Sequence, residues 1–75
     1  MPDYPILSGA DIIKALERLG FEGVRSRGSH VVMQRGGSGC VVPLHKEVKR
    51  GTLESIVRQS GIDAEAFIAA LSDKS

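Results

Sequence analysis

Two histidines, a scatter of arginines and lysines and one cysteine are the side chains in this 75-residue chain with chemistry to offer. His30 follows Gly28-Ser29 and opens the apolar stretch Val31-Val32-Met33, while His45 follows Pro43-Leu44 and precedes Lys46. Imidazole takes up and releases a proton near neutral pH, which suits either residue to general acid–base work. RNA is a substrate such a site can cleave without a metal, because it carries its own nucleophile in the 2′-hydroxyl. Deprotonating that hydroxyl, stabilising the phosphorane with Arg or Lys and protonating the leaving oxygen complete the reaction. A lone histidine on a short strand is, however, ordinarily a surface residue, and residue chemistry alone does not separate the two readings.

Charge distribution speaks for a polyanion more than net charge does. The chain carries only +1, but the stretch from Val24 to Arg50 holds six basic residues (Arg25, Arg27, Arg35, Lys46, Lys49, Arg50) against Glu47 alone. That is +5, with −4 left on the remainder. Such segregation can create a basic face on a nearly neutral protein. Other chemistries find less support. Two histidines without clustered carboxylates or thiols are too few for a closed zinc site, so no metal or cofactor is expected. Cys40, beside Val41-Val42, reads as a small core hydrophobe, and being alone it forms no internal disulfide. Gly36-Gly37-Ser38-Gly39 lacks the Lys-Ser/Thr of a phosphate-binding loop. The three aromatics (Tyr4, Phe21, Phe67) fall outside the strand centres, which argues against base stacking. No apolar run reaches the ~20 residues of a membrane span and no secretory signal opens the chain, so a soluble cytoplasmic protein is expected.

The elements that must position these residues follow from local signals. Ser8-Gly9-Ala10-Asp11 has the pattern of a capped helix start. Ile12, Ile13, Leu16 and Leu19 then recur at helical spacing up to Gly20, which predicts a helix over 9–19. Three strands follow: residues 21–27, interrupted by Gly23; His30 to Arg35, after a Gly28-Ser29 hairpin turn; and Cys40 to Val42, after a glycine-rich turn and before Pro43. A second helix begins near Gly51-Thr52, with Leu53, Ile56 and Val57 as its stripe and Gly61 beyond its end. Asp63 is a candidate cap for a short third helix, Ala64 to Leu71. The whole chain reads as one domain, with residues 1–7 a short extension and 72–75 a fraying tail. A three-stranded antiparallel sheet with its helices on one face buries most apolar surface, an α+β layout of the double-stranded-RNA-binding type. Its other face is left to solvent or a ligand. Strand alternation groups His30 with Val32 and Gln34, but both faces mix polar and apolar residues, so which way His30 points stays open.

Taken in order, Leu19-Gly20-Phe21, Arg25-Ser26-Arg27-Gly28-Ser29-His30, Val42-Pro43-Leu44-His45, Lys49-Arg50-Gly51-Thr52-Leu53 and Ile56-Val57-Arg58-Gln59-Ser60-Gly61-Ile62 resemble the HicA (YcfA-like) family. The resemblance spans residues 9–71. It implies a double-stranded-RNA-binding-like fold, an mRNA-cleaving toxin that halts growth, and a HicB-type antitoxin as partner. It also implies that His30, in Gly28-Ser29-His30, is the catalytic residue. Arg25, Arg27, Ser29, Lys46, Lys49 and Arg50 are then the candidate RNA contacts. His45 matches the family's Pro-x-His position, for which the resemblance supplies no catalytic role; loop-capping or binding is expected, with accessory proton transfer the alternative. Two other readings stay in play: an RNA-binding module that does not cleave, and a basic face that serves chiefly to dock the antitoxin.

Overall fold

The computed structural model describes residues 4–72, so parts of the expected extension and tail, residues 1–3 and 73–75, lie outside the described residues. Helix α1 (Gly9–Arg18) begins at a reciprocal cap. The Asp11 N–H donates to Ser8 Oγ and the Ser8 N–H to Asp11 Oδ2, each at 3.1 Å, satisfying two donors that a helix start otherwise orphans. Its end is equally well made. Gly20, at φ 95°, donates to Glu17, and the Phe21 N–H donates to Leu16 at 2.9 Å, so the chain turns sharply out of the helix. Ile12, Ala15 and Leu16 form the buried stripe.

Strands β1 (Glu22–Arg27), β2 (His30–Arg35) and β3 (Ser38–Pro43) make an antiparallel sheet in the order β1-β2-β3. Gly28 at φ 58° and Gly36 at φ 59° each occupy the first central position of a two-residue hairpin turn, where a positive φ is required. The second turn is shorter than expected. Gly36-Gly37 alone closes it, so Ser38 and Gly39 join the ladder opposite Arg35 and Gln34 and are not part of the turn. Pro43 also falls within the strand. Counting from the Arg35–Ser38 hairpin pair, Pro43 meets His30 at a position where neither residue donates across the pair, so its missing N–H costs the ladder nothing.

Helices α2 (Arg50–Ser60) and α3 (Ala64–Leu71) complete the chain. Leu53, Ile56 and Val57 of α2 meet Met33, Cys40 and Val42 from the sheet, with Ile12 and Leu16 of α1 and Phe67 of α3 closing the same core. The helices thus cover one sheet face only, as layer packing requires. The buried Ser60 hydroxyl donates to the Val57 carbonyl at 2.7 Å, which removes the cost of its burial. Asp63 stands at the N-cap of α3, but its side chain makes no capping bond. Leu7, in the segment before α1, is buried and bridges to Val48. Tyr4 sets its ring edge-on to Phe67 at 6.1 Å. Among the described residues no helix is long and apolar enough to cross a membrane.

Candidate RNA-facing site

Strand register decides which way His30 points. Residues paired across adjacent strands share a face. The rows Ser26–Val31–Val42 and Gly23–Met33–Cys40 look toward the helices, and Met33, Cys40 and Val42 are buried there. The rows Arg27–His30–Pro43, Arg25–Val32–Val41 and Glu22–Gln34–Gly39 look the other way, with Pro43, at the strand end, the one buried member. His30 is therefore on the open face, solvent-exposed, with Arg27 beside it and Arg25 one row along.

That company is set by the hairpin: Arg27 pairs with His30 directly across the two-residue turn, and alternation carries Arg25 to the same face opposite Val32. Register shifts between Gly23 and Arg25, leaving Val24 as a bulge, so that Gly23 still joins the Met33 row. Val32 and Val41 lie on this face too and lend it an apolar floor, Val41 being 44% exposed.

The remaining expected residues belong to the neighbouring loop. The carbonyl of Ser29, in the turn before His30, accepts the Leu44 N–H at 2.6 Å, docking that turn against the end of β3. His45 comes next and is exposed, its carbonyl accepting the Gly9 N–H at 2.9 Å. Lys46 and Lys49 lie further along the exposed loop, and Arg50 starts α2 with an ion pair to Glu54 at 3.3 Å. Lys49 caps α2 without a side-chain bond, and no acid stands in the first turn. Cations at the positive end of a helix dipole destabilise it, and a bound anion would relieve that arrangement. Arg35, by contrast, serves the scaffold. Its guanidinium lies 4.8 Å from the Phe21 ring centre and donates to the Leu19 carbonyl at 2.7 Å. The basic stretch thus divides into an open-face pair, a loop group and one structural arginine.

Two contributors escaped sequence reasoning. Gly9 is one: an added Cβ would press into the Pro43 carbonyl oxygen and stand 2.9 Å from Leu44 Cα, so α1 can approach β3 this closely only without a side chain. Glycine where a good helix former usually sits was the available signal. The Ser29–Leu44 bond is the other, and no local pattern announces it. Cys40 is buried, and its burial pushes the thiol pKa up, as suits a core residue. Among the described residues no group of three His, Cys, Asp or Glu side chains is placed to hold a metal ion.

A protein-family model described as HicA toxin of bacterial toxin–antitoxin systems matches residues 9–62, from the start of α1 to just past the end of α2. No curated protein matches the chain.

Proposed function

The chain belongs to the HicA toxin family of bacterial toxin–antitoxin systems, and on that premise we propose that it is an endoribonuclease cleaving mRNA by metal-independent acid–base chemistry at His30. The observation that carries this reading is the hairpin register, which gathers Arg25, Arg27 and His30 on the helix-free face of the sheet. A phosphodiester lying along that face meets a proton-transfer group with guanidiniums beside it. Arg25 and Arg27 offer forked donors to phosphate oxygens and stabilise the charge that grows on them in the phosphorane. Lys46, Lys49 and Arg50 extend the basic track past the sheet edge, where their contacts position the backbone without reading sequence. The Ser29 main chain holds the turn that carries His30. The αβββα order with one open face agrees with a double-stranded-RNA-binding-like fold. A HicB-type antitoxin in the cytoplasm would silence the enzyme by covering this face.

The test is purified protein on a structured and an unstructured RNA in EDTA, wild type beside His30→Ala. Cleavage that persists in EDTA and falls ~10²–10⁴-fold in the variant, with folding intact, is the expected result. Equal RNA decay by both proteins would sink the assignment of His30. Salt-dependent RNA retention with no products would leave a binding module in place of an enzyme.

A further inference from the structure

His45 sits where the strand facing His30 passes into the loop before α2. Register places Pro43 directly opposite His30, so His45 is two residues beyond the cross-strand partner of His30. Main chain pins this segment from two sides. The Leu44 N–H bonds the carbonyl of Ser29, the residue before His30, at 2.6 Å, and the Gly9 N–H bonds the His45 carbonyl at 2.9 Å. The two histidines are thereby held at the same end of the sheet by elements that cannot drift independently.

The imidazole of His45 takes no part in that clamp. Its side chain is exposed and, among the described residues, makes no hydrogen bond or ion pair. A loop-capping role would use the side chain, yet here the backbone does the holding. The fold spends nothing on this imidazole, and its chemistry is that of a proton donor and acceptor.

We infer that His45 is the second proton-transfer group of the site, the acid that complements His30 as base. The inference rests on the nuclease reading above. His30 removes the 2′-hydroxyl proton, the 2′-oxygen bonds to phosphorus, and the bond from phosphorus to the 5′-oxygen breaks. The His45 imidazolium delivers its proton to that departing oxygen. The products are a 2′,3′-cyclic phosphate and a 5′-hydroxyl. Each histidine then exchanges a proton with water and recovers its starting state.

A substrate whose leaving group needs no proton isolates this role. At a linkage the wild-type protein cuts, the bridging 5′-oxygen is replaced by sulfur, which departs as thiolate. Wild type, His45→Ala, His45→Gln and His30→Ala are compared on both substrates, each first matched to wild type in circular dichroism and melting temperature. The His45 variants should lose ~10²–10⁴-fold on the oxygen linkage and come within about tenfold of wild type on sulfur, with His30→Ala slow on both. Equal losses on the two linkages, or no loss at all, overturn the acid role of His45 while the nuclease reading stands. Wild-type protein that cuts neither RNA refutes the nuclease reading, and the inference falls with it.

Discussion

Alanine in place of glycine near the start of an exposed helix ordinarily stabilises by up to ~1 kcal/mol. Gly9→Ala should do the reverse. The new Cβ would press into the Pro43 carbonyl oxygen, with Leu44 Cα at 2.9 Å and the Pro43 carbonyl carbon at 3.0 Å. All three atoms are backbone, so no side-chain rotation relieves the contact, and α1 must separate from the end of β3. Overpacking of this kind costs ~1–3 kcal/mol. The separation also stretches the Gly9–His45 hydrogen bond, worth ~0.5–1.5 kcal/mol. Set against the helix gain, the net loss is roughly 1–3 kcal/mol, in a chain whose length suggests a total stability of roughly 4–11 kcal/mol. Urea denaturation followed by circular dichroism should show the midpoint falling by ~1–3 M for a slope near ~1 kcal/mol/M. Gly51→Ala is the internal control, because an added Cβ there meets nothing within 4 Å and should be neutral or stabilising. A Gly9→Ala protein as stable as the Gly51→Ala protein would refute the close-approach reasoning.

Two further outcomes concern titratable groups. The Ser8 backbone N–H, then its hydroxyl, hold the Asp11 carboxyl below the usual range, so its contribution is full above the ordinary carboxyl pKa of 3.8 and fades as pH falls through the lowered folded value. Stability between pH 5 and pH 2 should therefore decline less steeply in Asp11→Asn than in wild type, as read from urea midpoints across that range; parallel slopes would remove the capping box from the acid response. Cys40 is 3% exposed with its pKa raised by burial, so a thiol reagent at neutral pH should modify it only as fast as the domain opens. Cys40→Ser should cost ~1–3 kcal/mol in chemical denaturation, since it buries a hydroxyl where a thiol packed; rapid native-state labelling or an undiminished midpoint would contradict that placement.

Whatever the chain encodes locally was legible in it. Ser8 and Asp11 announce a helix start, Gly20 its end, and Gly28 a two-residue hairpin, because caps and tight turns are settled by residues within a few positions of one another. The boundary of β3 was read too late because Ser38 and Gly39 look like turn residues until Gln34 and Arg35 pair with them. What decides the candidate site lay further out of reach. Nothing near Val24 distinguishes a bulged strand from a regular one, and the facing of His30 follows from burial of Met33, Cys40 and Val42 against helices distant in sequence. The Asp63 expectation shows the converse limit. Its residue type and position suit a cap, but the side chain forms no such bond.

The two-residue turn at Gly28-Ser29 makes membership of the open face something counted back from the hairpin. Arg27 and Arg25 stand opposite His30 and Val32 by that count, and the bulge at Val24 absorbs one residue so that Gly23 still joins the Met33 row. Loss of Val24 would leave a regular ladder with the same pairs. A single residue gained or lost between Arg25 and Arg27 would instead turn Arg25 to the other face and part it from His30. Its charge would stay in solvent even so, because every residue of β1 is exposed.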